Sequence, residues 1–457
     1  MTNTESQTFD LTAVRGPVFR PGDDGFDEER AGFQTAFGHR PAVIVGALDA
    51  ADVQAAVRYA GSRGLPVAVQ LTGHGLSVAN EGGVLISTRR MTGVRIDADR
   101  GTAWVEAGVR AERLIDAAAK HGLAPLSGSS PHVGVVSYTL SGGLGLMARQ
   151  YGYAADHVRA LDVVTADGEL RQVTAEAEPD LFWALRGGRD NFGVVTGLEV
   201  GLVPVTRLYG GEVAFDGATD AAEILNAYRE WTTTLPDEMT TSVSLLPFPD
   251  APWAPEPLRG KYAVAVRVVY TGDPAEGERL VAPLRAIAPA LVDSVRELPF
   301  TESASIYHDP TTPHGYLGNS ALLTELDPAV PQRIVDISGP SAPVPCIVEV
   351  RHLGGAVSRE PAVPNAVGRR EARYILRVLS PTDGFDVDVI RSVHKRFFDA
   401  AREQTVGRSL NFVFGESTAT EQAAEIYAPA DLRRLAELKA VYDPANTFRS
   451  NHNIRPA

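Results

Sequence analysis

The sequence predicts an α+β protein, and three observations lead to that class. From about residue 208 onward, apolar strand-like runs at 209–215, 241–246, 262–270, 347–352 and 372–379 alternate with helix-like runs at 221–233, 274–288, 331–337 and 386–403. That texture reads as an antiparallel sheet with helices on one side. Ahead of it, a strand–helix–strand pattern runs into Gln70-Leu71-Thr72-Gly73-His74-Gly75-Leu76-Ser77, where a histidine sits between two glycines straight after a short apolar strand. A second glycine-rich segment follows, and two such loops can grip a long ligand from both sides. The chain has 457 residues, enough for about two or three folding units.

The elements justify themselves in order. Residues 1–36 form a leading segment, with a turn at Pro21-Gly22-Asp23-Asp24-Gly25 and a short helix expected over 27–37. A buried strand is expected at 42–46. Asp49 or Asp52 then caps a helix running to Ser62, with Val53, Ala56, Val57 and Ala60 on one face. Leu65-Pro66-Val67-Ala68-Val69 is the strand that ends at His74. Short strands follow at 84–87, 93–97 and 103–108, then a helix over 111–120 that His121-Gly122 ends. Asp167-Gly168 signals a two-residue hairpin between strands at 157–166 and 170–173. Pro179 opens a helix to Leu185, and 192–203 is a long apolar strand. Prolines and glycines cluster at 247–260 and 309–318, which read as surface loops or lids. The last stretch, 410–457, holds a strand, a helix at 429–441 and a Tyr442-Asp443-Pro444 tail.

Composition narrows the function. Hydrophobic residues are 44% and charged ones 22%, as in an ordinary soluble enzyme. The net charge of −14 disfavours non-specific nucleic-acid and anionic-membrane binding, so the expected partner is a small molecule. No apolar run suits a signal peptide or a membrane span, which suggests a cytoplasmic protein. Cys346 is the single cysteine, so no disulfide can form within the chain. His308, His314 and His394 lack metal-ligand spacing and no metal is expected; Gly-x-Ser-x-Gly is absent, which leaves a serine hydrolase without support.

The loops carry the chemistry. Thr72, Gly73 and Gly75 let the main chain turn tightly and offer N–H groups to an anion, although a lone Gly-His-Gly can equally be a plain turn with a surface imidazole. The second segment reads Ser127-Gly128-Ser129-Ser130-Pro131-His132-Val133-Gly134, then Leu140-Ser141-Gly142-Gly143-Leu144-Gly145 and Arg149-Gln150-Tyr151-Gly152. Its small residues allow close approach to a pyrophosphate, and Val133, Val135 and Leu140 could flank a flat ring. Neither loop fits the Gly-x-Gly-x-x-Gly dinucleotide fingerprint or a nucleotide-triphosphate loop, so a Rossmann fold is not expected.

Taken in order, these motifs, together with Val163-Val164-Thr165-Ala166-Asp167-Gly168, the run from Asp180 through Leu185 to Gly188, the run from Asn191 to Thr196, and the tail through Phe448, resemble the berberine-bridge-enzyme-like branch of the vanillyl-alcohol-oxidase-type flavoproteins. The resemblance implies a two-part PCMH-type FAD-binding domain plus the antiparallel-sheet substrate domain. Its expected divisions are 1–36, an FAD-binding domain at 37–207, a substrate domain at 208–409 and a segment at 410–457 that returns to the flavin.

The same resemblance implies site roles. His74 aligns with the histidine that bonds the 8α-methyl of FAD. Ser130 stands where many relatives carry a second, cysteinyl anchor, so one tether is expected and no cysteinyl link. Flavin contacts are implied for Thr72, Gly73, Gly75, Leu76 and Ser77, for Gly128, Ser129, Ser130, Val133 and Gly134, for Gly142, Gly143 and Gly145, for Val194 and Val195, and for Asn451 and Asn453. Val133 takes the position of the oxygen gatekeeper, where a valine resembles oxidases. Tyr138 replaces a histidine near the flavin carbonyl and could donate a hydrogen bond to it.

The family's Tyr-x-Asn-Tyr, source of its phenolic base, is replaced by Asn411-Phe412-Val413-Phe414-Gly415-Glu416. Substitutes for proton removal are Glu416, His352 and Tyr374. The expected activity is two-electron oxidation of a small organic substrate, a secondary-metabolite alcohol or related group, with O2 reduced to H2O2. Alternatives are a carbohydrate or alcohol dehydrogenase or oxidase of the same family, and a non-catalytic flavin-fold binding protein.

Overall fold

The structure is a computed structural model that describes residues 10–76, 78–252, 254–415, 421–450 and 452–457. Ser77, Glu416 and Asn451, three of the expected site residues, lie outside the described residues. Among the described residues the strands form three sheets.

The first is the small sheet behind the His74 loop. Its strands run in the order Val18–Phe19, Val43–Gly46, Val84–Ser87, Val67–Gln70, parallel except at Val18–Phe19. Parallel strands need a covered crossover, and the helix Ala50–Gly61 supplies it by burying Val53, Ala56, Val57 and Ala60 on the sheet. The two candidate caps divide the work. The Asp49 carboxylate accepts from the N–H groups of Ala51 and Asp52, while that of Asp52 turns outward from the helix to accept from Arg15, Gly16 and Leu48.

The second sheet is antiparallel, in the order Val94–Asp97, Thr102–Glu106, Val194–Gly201, Val158–Val164, Leu170–Thr174. Its Asp167-Gly168 turn is a three-residue loop closed by Thr165 and Glu169, with Gly168 at φ 77°. A left-handed residue ending such a loop makes a bulge, which is why the two-residue reading is one residue short.

The third sheet is large and antiparallel. Its order is Ala290–Asp293, Arg207–Asp216, Tyr262–Tyr270, Met239–Pro247, Ile347–His352, Tyr374–Pro381, Tyr316–Leu323, Thr405–Gly407, with Arg296–Pro299 also on Arg207–Asp216. The helices Ala221–Thr232, Pro274–Arg285, Val330–Ser338 and Val387–Ala400 cover one face, burying the largest apolar cluster of the chain. This is the α+β arrangement that the alternating texture predicts.

The differences are local and have causes. The expected helix at 27–37 stops at Phe26–Arg30, because Phe33, Gln34 and Thr35 are extended and pair with other chain segments. Strand Tyr316–Leu323 begins inside the region read as a loop at 309–318 and continues beyond it where no strand was expected, since Gly318 and Asn319 weaken its pattern. Gly318 is a glycine because a Cβ there would lie 2.2 Å from the Phe414 ring. The strand expected after 410 is a single turn, Leu410–Phe412, followed by one bridge from Phe414 to Gly318.

Candidate functional site

The uncovered face of the large sheet is where the site is built, and strand register explains its content. Period-two alternation sends Val348 and Val350 into the helix-facing core and Glu349 and Arg351 to the other side. Cross-strand pairing then sets Glu212, Arg267, Ser242 and Arg351 in one row, and Ser244, Glu349, Arg377 and Ser320 in the next.

The rows knit into a buried charge network. Glu349 accepts from Arg351 Nε at 2.8 Å and from Arg377 Nη1 at 2.5 Å. Arg267 reaches Glu212 at 3.0 Å and Ser244 Oγ at 2.7 Å. Tyr307 closes the centre: its hydroxyl is 3.0 Å from Ser242 Oγ, and the guanidiniums of Arg267 and Arg351 lie 5.0 and 5.4 Å from its ring centroid. Burial by itself would raise the Glu349 carboxyl, but Arg351, Arg377 and Arg267 outweigh it and hold the group at about 2.

The second glycine-rich segment lies over this face. Arg351 Nη1 donates to Leu144 O at 3.3 Å, and Ser129 Oγ donates to Asp309 at 2.5 Å. Within the segment, Val135–Leu140 is a short helix that carries Tyr138. Glycines house this tyrosine: a Cβ on Gly128 would lie 3.3 Å from its ring, one on Gly143 2.9 Å from it, and one on Gly145 2.9 Å from its hydroxyl. Burial pushes the Tyr138 phenol well above its ordinary value, with Arg351 opposing, so it stays protonated and keeps a proton to donate. Ser130, Val133, Gly134 and Tyr138 line a cleft with Ser127.

Asn411 joins the candidate site, and sequence reasoning missed it. Its side chain donates to Tyr138 O at 3.1 Å and accepts from the Gly143 N–H at 3.0 Å, tying the C-terminal segment to the loop. Phe412 beside it lies under Arg377, 4.0 Å from guanidinium to ring centroid. The sequence signal was present, since Asn411 opens the stretch that stands in place of the family's Tyr-x-Asn-Tyr.

The His74 loop meets this assembly from the other side. A Cβ on Gly134 would lie 2.8 Å from Leu71, so the two glycine-rich segments touch. Gly73, at φ 68°, passes so close to Gly32 that a Cβ would be 2.7 Å from its Cα. Thr72 O and Gly73 O accept from the extended 33–34 segment, and Leu76 O accepts from the Gly415 N–H. Burial first, then Arg110, His132 and His314, push the His74 imidazole down to about 4, so it is neutral at pH 7.

Several buried polar atoms at this junction have no protein partner: both His74 ring nitrogens, the Tyr138 hydroxyl and Ser127 Oγ, with Asn453 Oδ1 in the tail. Gly142 and Gly143 turn with φ of 104° and 76°, and a Cβ on Gly75 would lie 3.9 Å from Arg189 Nη2.

Other candidates sit elsewhere. His352 falls on the helix-covered face, because it shares the parity of Val348 and Val350. It stacks on Tyr374 and its Nε2 is 3.0 Å from Arg149 Nη1. Tyr374 faces the same way and bonds Thr232. These two are therefore separated by the sheet from Tyr138. Val194 and Val195 are packed in two different cores on either side of their strand. Cys346 is buried in the helix-facing core.

Residues 41–174 match the family model described as the FAD binding domain, and residues 413–455 match the one described as berberine and berberine like. With this fold and site, the chain is an FAD-linked oxidoreductase. Among its relatives, (R)-6-hydroxynicotine oxidase of Paenarthrobacter nicotinovorans is 29% identical, over 97% of each chain. The crystal structure of 6-hydroxy-D-nicotine oxidase from Arthrobacter nicotinovorans superposes with a TM-score of 0.83 at 25% identity, covering all of both chains. Xylooligosaccharide oxidase from Myceliophthora thermophila, in complex with xylobiose, shares the fold with a TM-score of 0.85 at 22% identity over 98% of each chain.

Proposed function

We propose that this chain is an oxidase that takes two electrons, as hydride, from a small organic amine or alcohol and delivers them to dioxygen, with FAD anchored once, through His74. The observation that carries this reading is the set of unpartnered buried atoms on His74, Tyr138 and Ser127 where the two glycine-rich segments meet. A buried polar atom left unpaired costs about 1–3 kcal/mol, so a bound group that satisfies several of them is strongly favoured there. A flat apolar ring with a polar edge and a pyrophosphate fits this donor set. When bound, the flavin supplies the two-electron acceptor that amino-acid side chains lack.

The chain's own residues then have distinct tasks. His74, neutral and out of water, offers a ring nitrogen lone pair for the anchor. Thr72, Gly73, Gly75 and Leu76 with Gly128, Ser129, Ser130 and Gly134 form the cradle, and the turns at Gly142, Gly143 and Gly145 hold Tyr138 in it. Tyr138, protonated throughout the working range, donates a hydrogen bond where negative charge develops. Asn411 fixes its backbone. Val133 leaves the cleft open to dioxygen. Asn453 contributes from the tail, whereas Val194 and Val195 belong to the two cores on either side of their strand.

The sheet face favours an amine. Glu212 and Glu349 are each paired with arginine, and Glu349 stays ionised and held down near 2. A carboxylate so strongly held is a weak base, and an alcohol needs its proton removed as hydride leaves. An amine bound as its free base needs no such help. This agrees with a relative named for a hydroxynicotine.

The test is anaerobic mixing with cyclic amines, simple alcohols and oligosaccharides, followed by admission of air with detection of H2O2. Bleaching of the flavin by amines, faster as pH rises toward the amine's own pKa, is the expected result. Bleaching by sugars alone would replace this reading with the carbohydrate oxidase, and none with any substrate would favour a binding protein.

A further inference from the structure

The segment at 33–35 binds the His74 loop and the large sheet at once. Phe33 N–H donates to Thr72 O at 2.7 Å and Gln34 N–H to Gly73 O at 3.3 Å; on its other side Thr35 N–H donates to His314 O and His314 N–H to Phe33 O, both at 3.1 Å. The Gln34 amide completes the stitch, donating to Tyr316 O at 2.5 Å and accepting from Tyr316 N–H at 3.2 Å. Tyr316 begins the strand Tyr316–Leu323, and its hydroxyl donates to His74 O.

On this frame the Phe33 ring lies flat on the His74 imidazole, with centroids 3.9 Å apart and planes within 10°. His314 stands edge-on to Phe33 at 5.4 Å and against Tyr316 at 4.9 Å. The flanking glycines of His74 have no side chains to orient it, and neither ring nitrogen is hydrogen-bonded. The stack is what fixes the plane of the ring. The Tyr316 bond is what fixes the backbone beneath it.

We propose that Phe33 and Tyr316 are positioning residues for covalent attachment of the flavin: Phe33 sets the imidazole plane and Tyr316 anchors the His74 backbone, so that a ring nitrogen is aimed at the 8α-methyl. This rests on the reading of His74 as the anchor. In the step itself a C–H bond of that methyl and the imidazole N–H break and an N–C bond forms. The electron pair and two hydrogens end on the flavin ring, and dioxygen removes them as H2O2. The product gains the mass of one FAD less two hydrogen atoms. Effective molarity makes such steps sensitive to misplacement of about 1 Å.

The experiment uses full-length chain produced under flavin limitation, supplied with FAD in air, and sampled over time. Acid precipitation and intact mass give the covalent fraction, and pellet plus supernatant gives total flavin. Wild type, Phe33→Ala, Phe33→Leu, Phe33→Tyr and Tyr316→Phe are compared. The expected result is total flavin near one per chain throughout, attachment slowed at least tenfold in Phe33→Ala and Phe33→Leu, a smaller loss in Tyr316→Phe, and rescue in Phe33→Tyr. Phe33 is half-buried, and Phe33→Leu keeps a branched apolar side chain there while removing the flat ring.

Attachment within twofold of wild type in Phe33→Ala and Phe33→Leu would overturn this inference alone. Wild-type flavin released entirely to the supernatant would overturn the anchor, and this inference with it. Loss of flavin binding in both Phe33→Ala and Phe33→Leu would assign Phe33 to formation of the loop, which also overturns the positioning role.

Discussion

Replacing Glu349 by glutamine leaves Arg351 and Arg377 facing each other in a buried site without their carboxylate, and the cost can be worked two ways. Moving the carboxyl from its ordinary 4.5 to about 2 is worth about 3 kcal/mol at ~1.4 kcal/mol per pH unit. Breaking one partner out of a buried ion pair costs about 3–5 kcal/mol. The two figures agree. Over 457 residues, at ~2.1 cal/mol/K each, a loss of about 3 kcal/mol lowers Tm by roughly 3 °C if the chain unfolds together, and by about 7 °C if the large-sheet domain unfolds alone.

The pH dependence has a definite sign. The folded-state pKa lies below the unfolded one, so the stabilisation is complete above about pH 4.5 and is lost as pH falls toward 2. The gap between wild type and Glu349→Gln is expected to shrink from about 3 kcal/mol at pH 7 to roughly 1 kcal/mol near pH 3. The assay is urea or thermal unfolding of both proteins at equal flavin loading across that range. A Glu349→Gln variant as stable as wild type at pH 7, or a gap that widens as pH falls, would refute the reasoning.

Tyr138→Phe removes a hydroxyl that has no protein partner, so Tm is expected to stay within a degree or so of wild type while anaerobic flavin reduction slows by about 10²-fold, as for loss of one donor to developing charge; an unchanged reduction rate would assign Tyr138 to packing. Asn411→Ala breaks the ties to Tyr138 O and Gly143 N–H and is expected to cost about 1–3 kcal/mol, read by denaturant titration, with faster flavin release in any non-covalent fraction. Val133→Leu fills the cleft beside Tyr138; stopped-flow reoxidation by air should fall by an order of magnitude or more while reduction by substrate holds, and an unchanged oxygen reaction would make Val133 a packing residue.

Much of the fold was open to reading because it rests on local periodicity. The helix Ala50–Gly61 shows its buried face at Val53, Ala56, Val57 and Ala60, and the strands that flank it are short apolar runs. The cofactor class was legible for a different reason, since both glycine-rich segments are continuous in sequence and their order carried the resemblance. The charge network was half legible. Glu349 and Arg351 alternate with Val348 and Val350 in plain view, but nothing in that alternation says which side the helices cover. The same parity that turns Glu349 toward the site turns His352 away.

The sequence by itself determined most of the elements, the α+β class and the two loops, because helical and strand periodicities and glycine turns are set by neighbours a few residues apart. Only the tertiary structure decided which side chains meet: Phe33 on His74 under Tyr316, Asn411 on Tyr138 and Gly143, Tyr307 between Arg267 and Arg351. These partners lie tens to hundreds of residues apart. Their meeting depends on strand order and register in a sheet, and those are settled by the packing of the whole domain rather than by any local stretch of chain.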